Sequence, residues 1–147
     1  MKKNFNGFVL MELIIVLLIV ILILGLSTFF FSGFLPRAKF NATGREISAM
    51  IRHTRALARL NMESRTFDID LDNKTYGTNQ SPIKSIPKEV SVKVIDPFSG
   101  EVNHGKYSIV FNPAGGVAGG TIILFHGKSI LQIEMDPITG AVLARGG

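Results

Sequence analysis

The sequence predicts an α+β protein, a long N-terminal helix followed by a small domain whose mostly antiparallel β-sheet packs on the helix. Three observations carry this. From Phe8 to Leu35 the chain holds one charged residue, Glu12, in an otherwise apolar run. From Arg37 to Met62 apolar residues recur at three- and four-residue steps, with one glycine and no proline. After Glu63 the apolar period shortens to two. One helix followed by successive strands is the element order of an α+β domain.

The divisions follow in order: a leader at 1–7, a transmembrane helix at 8–35, its amphipathic continuation at 36–62 and a β-rich domain at 63–147. The leader, Met1-Lys2-Lys3-Asn4-Phe5-Asn6-Gly7, is polar and basic. The run from Phe8 to Leu35 extends about 42 Å as an α-helix, against about 30 Å of hydrocarbon. Lys2 and Lys3 precede it, so the positive-inside rule places the N-terminus in the cytoplasm and the remaining chain across the membrane. A secretory signal would instead have an apolar core of about 7–15 residues before a small-residue cleavage site.

Glu12 is the anomaly. A carboxylate within a bilayer costs about 3 kcal/mol even on the lenient insertion scale, and an intramembrane acid is a functional-site candidate by default.

In the continuation, Phe40, Ile47, Met50, Ile51, Thr54, Leu57 and Ala58 form the apolar stripe. Arg45, Arg52, Arg55 and Arg59 mark a basic side, expected to face solvent or a neighbouring chain. Pro36 removes a backbone donor at the junction and would kink a continuous helix; Gly25, Gly33 and Gly44 are further weak points.

Phe67, Ile69 and Leu71 alternate with Asp68, Asp70 and Asp72, giving the first strand. Asp72-Asn73-Lys74 is a turn, and Thr75–Gly77 continues extended. The segment from Thr78 to Lys88, with two prolines, is expected to be a loop. Val90, Val92 and Val94 alternate again, up to Asp96-Pro97. Further strands are expected at Tyr107–Asn112, Thr121–His126, Ser129–Met135 and Ala141–Ala144, with a tight joint at His126-Gly127-Lys128 and a turn at Asp136–Gly140. No internal repeat is visible.

Composition agrees with one anchored domain. The chain has 147 residues and a net charge of +5, of which Lys2 and Lys3 supply two. Mean hydropathy is +0.32. The roughly 110 residues beyond the anchor suffice for one compact domain. Mild basicity does not by itself imply a nucleic-acid partner. With no cysteine, disulfides, thiolate metal sites and cysteine nucleophiles are excluded.

Gly7-Phe8-Val9-Leu10-Met11-Glu12-Leu13-Ile14-Ile15 resembles the class III signal of type IV pilins and type II secretion pseudopilins. The resemblance implies cleavage between Gly7 and Phe8 by a prepilin peptidase on the cytoplasmic side, with N-methylation of Phe8. It also implies that Glu12 meets the N-terminal amine of a neighbouring subunit during assembly. Ile109–Gly116, Gly119–Leu124, Ile133–Val142 and Ile51–Arg59 further resemble GspH/FimT-type minor pseudopilins. The implied function is that of a non-enzymatic structural subunit of a type II secretion pseudopilus. It would sit in the bacterial inner membrane by a single span, with its C-terminal domain in the periplasm. Its partners would be other pseudopilins and the inner-membrane assembly platform, and its filament would help extrude proteins across the outer membrane.

Two alternatives share the anchor: a minor pilin of a type IV pilus and a DNA-binding competence pilin. The last would be expected to carry clustered basic residues near the C-terminus, and this chain ends Ala144-Arg145-Gly146-Gly147.

No catalytic residue, cofactor or metal is expected. Asp68, Asp70 and Asp72 resemble the start of a calcium loop, yet Asn73 stands where its glycine belongs and Asn79 where its glutamate belongs. His53, His104 and His126 show no ligand spacing. The glycine-rich segment Pro113–Gly120 lacks the lysine of a phosphate-binding loop and precedes a strand, so it is expected to be a flexible turn.

Overall fold

The computed structural model describes the backbone of residues 6–79 and 81–147 and, among these, every side chain except those of 6, 7 and 27–35. The fold is α+β. Helix α1 spans Asn6–Leu60 and includes Pro36. Among the described residues ten strands follow, and the chain divides into two compact units between Arg37 and Ala38. The leader lies largely outside the described residues, which begin at Asn6.

Within the second unit the helical stripe is buried as its spacing predicts, except that Leu57 is only half-buried and stays outside the core. Phe40, Ile47, Ile51 and Ala58 enter the core, and Met50 packs against its edge. Thr43, Ser48 and Thr54 are buried on the same side. Their hydroxyls donate to the carbonyls of Lys39, Gly44 and Met50, four residues back, at 2.8–2.9 Å, so none of the three is stranded. Gly44 lets the helix approach the strands closely: a Cβ there would lie 1.9 Å from Cδ2 of Leu131. It serves packing, not weakness. The helix ends as Met62 turns to φ 53° and the Glu63 amide donates to the Ala58 carbonyl at 3.2 Å.

Two five-stranded sheets form where one was expected, and every strand pairing is antiparallel. The first has the order β3-β2-β1-β6-β7, with β1 at Arg65–Asp70, β2 at Thr75–Thr78, β3 at Ser81–Ser85, β6 at Lys106–Phe111 and β7 at Val117–Ala118. The second has the order β10-β9-β8-β4-β5, with β4 at Ser91–Asp96, β5 at Gly100–Val102, β8 at Thr121–His126, β9 at Ser129–Met135 and β10 at Val142–Gly146. Phe67, Ile69, Ile109 and Phe111 from the first join Val92, Val94, Ile122, Leu124 and Ile133 from the second in one core with the helix stripe.

Three segments in which no strand is expected contain one. β3 lies in the proline-bearing segment 78–88; as an edge strand it tolerates Pro82, which central pairing would not. β5 follows Asp96-Pro97 as the return of a short hairpin. The glycine-rich segment is ordered by pairing: β7 lies on β6, and the Val117 amide donates to the Pro137 carbonyl at 3.1 Å. Gly120 in that segment is fixed by close approach, since a Cβ would lie 2.2 Å from the Ile95 carbonyl oxygen.

Gly120→Ala therefore forces backbone against backbone. The expected loss is about 1–3 kcal/mol, read as a lowered denaturant midpoint with unchanged slope in the full chain in detergent. Gly146→Ala, whose added carbon meets nothing nearer than 3.8 Å, should stay within about 0.5 kcal/mol of wild type.

Candidate functional site

Phe8–Leu26 is long and apolar enough to cross a membrane, with mean hydropathy 3.3 and no part buried by protein. Its 19 residues extend about 28 Å at 1.5 Å per residue, close to the hydrocarbon thickness of about 30 Å. The segment is dense in Ile and Val, which are mediocre helix formers in water. In hydrocarbon the propensity order matters less, because each backbone donor and acceptor must be satisfied within the segment. Favourable insertion terms sum to roughly 5–10 kcal/mol over the span and exceed the roughly 3 kcal/mol cost of one acid.

Glu12 is exposed on this helix. Phe8 and Val16 lie one turn away on its face, and both are apolar and exposed. Among the described residues Glu12 has neither an ion-pair nor a hydrogen-bond partner. Gly7 and Phe8 are consecutive helical residues. Phe8, at 76% exposure, and Glu12 are separated by about 6 Å of axial rise.

In the second unit Asp68, Asp70, Asp72 and His126 are engaged structurally. Asp68 accepts the Ser108 hydroxyl at 2.5 Å. Asp70 accepts the amides of Asp72 and Asn73 at 3.1 and 2.8 Å and closes the β1–β2 turn. Asp72 accepts the Gly105 amide at 3.0 Å. His126 meets the Glu89 carbonyl at 2.8 Å and stacks obliquely near Phe40. Among the described residues no group of three His, Cys, Asp or Glu converges on a point that would hold a metal.

The arginine side is only partly solvated. Arg45, Arg52 and Arg59 are exposed, but Arg55 is half-buried and donates to the Thr139 carbonyl at 2.7 Å. Arg55 therefore departs from the expected solvated side, because helical spacing shows which side is polar but not that the Asp136–Gly140 turn is laid over it.

Two polar networks missed at the sequence level tie these elements together. Glu46 on the helix receives the Tyr76 hydroxyl at 2.9 Å and pairs with Lys84 of β3. The bond from Lys84, then that from Tyr76, holds the Glu46 carboxyl below its ordinary range. Asp96, at the end of β4, receives the Tyr107 hydroxyl from β6 and so joins the two sheets. That bond, then those from Ser99, depresses the Asp96 carboxyl, while burial and then Asp96 push the Tyr107 phenol up to about 12. A hydrophobic–polar reading marks these residues as surface, and only the pairing of distant strands brings them together.

Compared with family models, curated proteins and solved structures, the chain matches none.

The Tyr107–Asp96 clip makes stability pH-dependent at both ends. Tyr107 contributes fully below the free phenol value of about 10, and this contribution is lost as pH rises towards about 12. Asp96, being depressed, contributes fully above about pH 4 and loses its share as pH falls. Tyr107→Phe should lower the denaturant midpoint at pH 8 and show a smaller further decline between pH 10 and 12 than wild type.

Proposed function

We propose that this chain is a structural, non-enzymatic minor pseudopilin of a type II secretion pseudopilus. In this reading the prepilin peptidase cleaves between Gly7 and Phe8, and the Phe8 amine is methylated. The mature chain is held in the bacterial inner membrane by a single span, its C-terminal unit in the periplasm. The observation that carries the reading is Glu12: a carboxylate without a partner among the described residues, on an apolar helix exposed on every side, one turn after Phe8.

The chemistry follows from charge. Cleavage leaves a cationic amine on Phe8, reinforced by the positive end of the helix dipole. In hydrocarbon an unpaired carboxylate and an unpaired amine are each costly, and a hydrogen-bonded pair offsets much of both costs. Pairing Glu12 with the Phe8 amine of a neighbouring subunit satisfies the two groups at once and fixes the stagger between helices. The α+β outer unit then supplies the choice of partners. A pilin-like fold for the whole chain belongs to the same proposal, supported by the order of apolar helix, amphipathic helix and antiparallel sheets.

The test is mass spectrometry of the chain and its crosslinked neighbours in the native inner membrane. The expected mature chain lacks residues 1–7 and carries one added methyl, and its neighbours are other pseudopilins and platform proteins. A major pilin with a retraction ATPase would instead make it a type IV pilus subunit, and an uncleaved N-terminus would defeat both. Glu12→Ala should still be cleaved, yet enter filaments more than tenfold less, because breaking a buried pair costs about 3–5 kcal/mol. Normal incorporation of that variant would remove the role given to Glu12.

A further inference from the structure

Two turns of the second sheet share one pentapeptide plan that the sequence reading passed over: Asp96-Pro97-Phe98-Ser99-Gly100 and Asp136-Pro137-Ile138-Thr139-Gly140. In each, the aspartate Oδ1 accepts the amides of the third and fourth residues, at 2.9 and 2.7 Å in the first turn and 3.0 and 2.7 Å in the second. The closing glycine takes a positive φ in both, 78° and 69°. The third residue is the tip and is almost fully exposed, Phe98 at 97% and Ile138 at 82%. A lone exposed apolar residue needs no explanation. The same rigid turn built twice, each time holding a large apolar side chain in water, does.

Topology puts both tips at one end of the unit. β4 and β9 each pair antiparallel with β8, so they run in the same direction and their following turns emerge together. The hairpins β4–β5 and β9–β10 are separated by three strand spacings, or about 14 Å. Between them lies the glycine-rich segment: Gly120 abuts Ile95 and Asp96 beside one turn, and Val117 bonds to Pro137 in the other. Between the tips Gly115 and Gly120 are buried, while Gly116, Val117 and Gly119 are half-buried and Ala118 is exposed, so the surface there carries only small residues. The helix ends at this same pole, where Arg55 reaches Thr139 and the Arg59 guanidinium lies against Gly115. Arg52, Arg55 and Arg59 have no carboxylate partner among the described residues. The nearby acids are engaged: Asp96 and Asp136 bind their own turns, and Glu63 pairs with Arg65.

We infer that this pole is a docking surface for a protein partner, one that lays an acidic ridge of polypeptide between two apolar contacts. Arg52 and Arg59, exposed and without a carboxylate partner among the described residues, select carboxylates. The floor of small residues admits a strand or helix closely, and the tips, preorganised by their turns, lose little freedom on burial. A bilayer also offers negative charge and apolar depth, but a flat surface leaves the floor between the tips unused. The inference concerns the second unit alone and stands whether or not the pseudopilus reading does.

Full-length protein in its native membrane, carrying a photocrosslinking phenylalanine analogue at position 98, 138 or 83, tests this. Ile83 is also exposed, at 75%, but lies on β3 of the other sheet. Adducts from 98 and 138 should map to one protein, within a segment bearing Asp or Glu, and exceed those from 83 at least tenfold. Arg59→Glu and the double variant Phe98→Ser/Ile138→Ser should each reduce the remaining adducts at least tenfold while leaving the thermal midpoint within a few degrees. Adducts to lipid alone, adducts no stronger than at 83, or adducts indifferent to Arg59→Glu would overturn the inference. Loss of the Phe8 processing with these adducts intact would count against the proposed function only.

Discussion

The stripe of Phe40, Ile47, Ile51 and Ala58 is the surface on which the second unit closes. Two antiparallel sheets share a core with it. The first is tied to the helix by Tyr76 on Glu46, and the second by the close approach of Leu124 and Leu131 to Gly44. A domain of roughly 110 residues buries only about two thirds of the surface its unfolded chain exposes. Without the helix, the inner faces of both sheets would meet water. The sheets are then locked to each other by Tyr107 on Asp96 and by Lys74, whose ammonium bonds to the carbonyls of Lys88 and Val90 at 2.9 and 3.0 Å. Their position follows from the helix stripe and their mutual orientation from these polar clips.

Periodicity made the helix legible because its cause is local. The stripe from Phe40 to Ala58 and the alternation at Phe67, Ile69 and Leu71 each reflect one element meeting one apolar surface, and burial follows both patterns. The division into two sheets was not legible, because it depends on which distant strands pair: β1 with β6 and β4 with β8. β3 is not legible in the sequence because proline usually argues against a strand, and only its edge position permits Pro82. The glycines near residue 120 suggest freedom in the sequence but mark contact in the fold, since Ile95 lies 25 residues earlier in the chain. Of the candidate site, the apolar span and its lone acid were visible in the sequence. The docking pole was not, because strand direction alone brings Phe98 and Ile138 to the same end.

The two units use their polar groups in opposite ways. In the second, carboxylates are consumed internally: Asp70, Asp96 and Asp136 each close a turn, and Glu46 joins helix to sheet. Each lies near its partner in sequence or is brought to it by strand pairing, so folding alone satisfies it. Glu12 has no such arrangement among the described residues.

That difference decides what an apolar helix can specify. Contacts between Leu, Ile and Val side chains and their surroundings are non-directional, and Phe8–Leu26 offers them on every side. Such a surface drives insertion but prefers no rotation or axial offset against a similar helix. One carboxylate breaks the degeneracy. Sliding a neighbour by one helical turn moves its charge about 5.4 Å, beyond hydrogen-bond reach and into a medium that penalises the unpaired ion. In the proposed reading, the apolar residues supply most of the free energy and Glu12 supplies the register. A residue unfavourable to insertion by about 3 kcal/mol is thereby the one able to choose among otherwise equivalent packings.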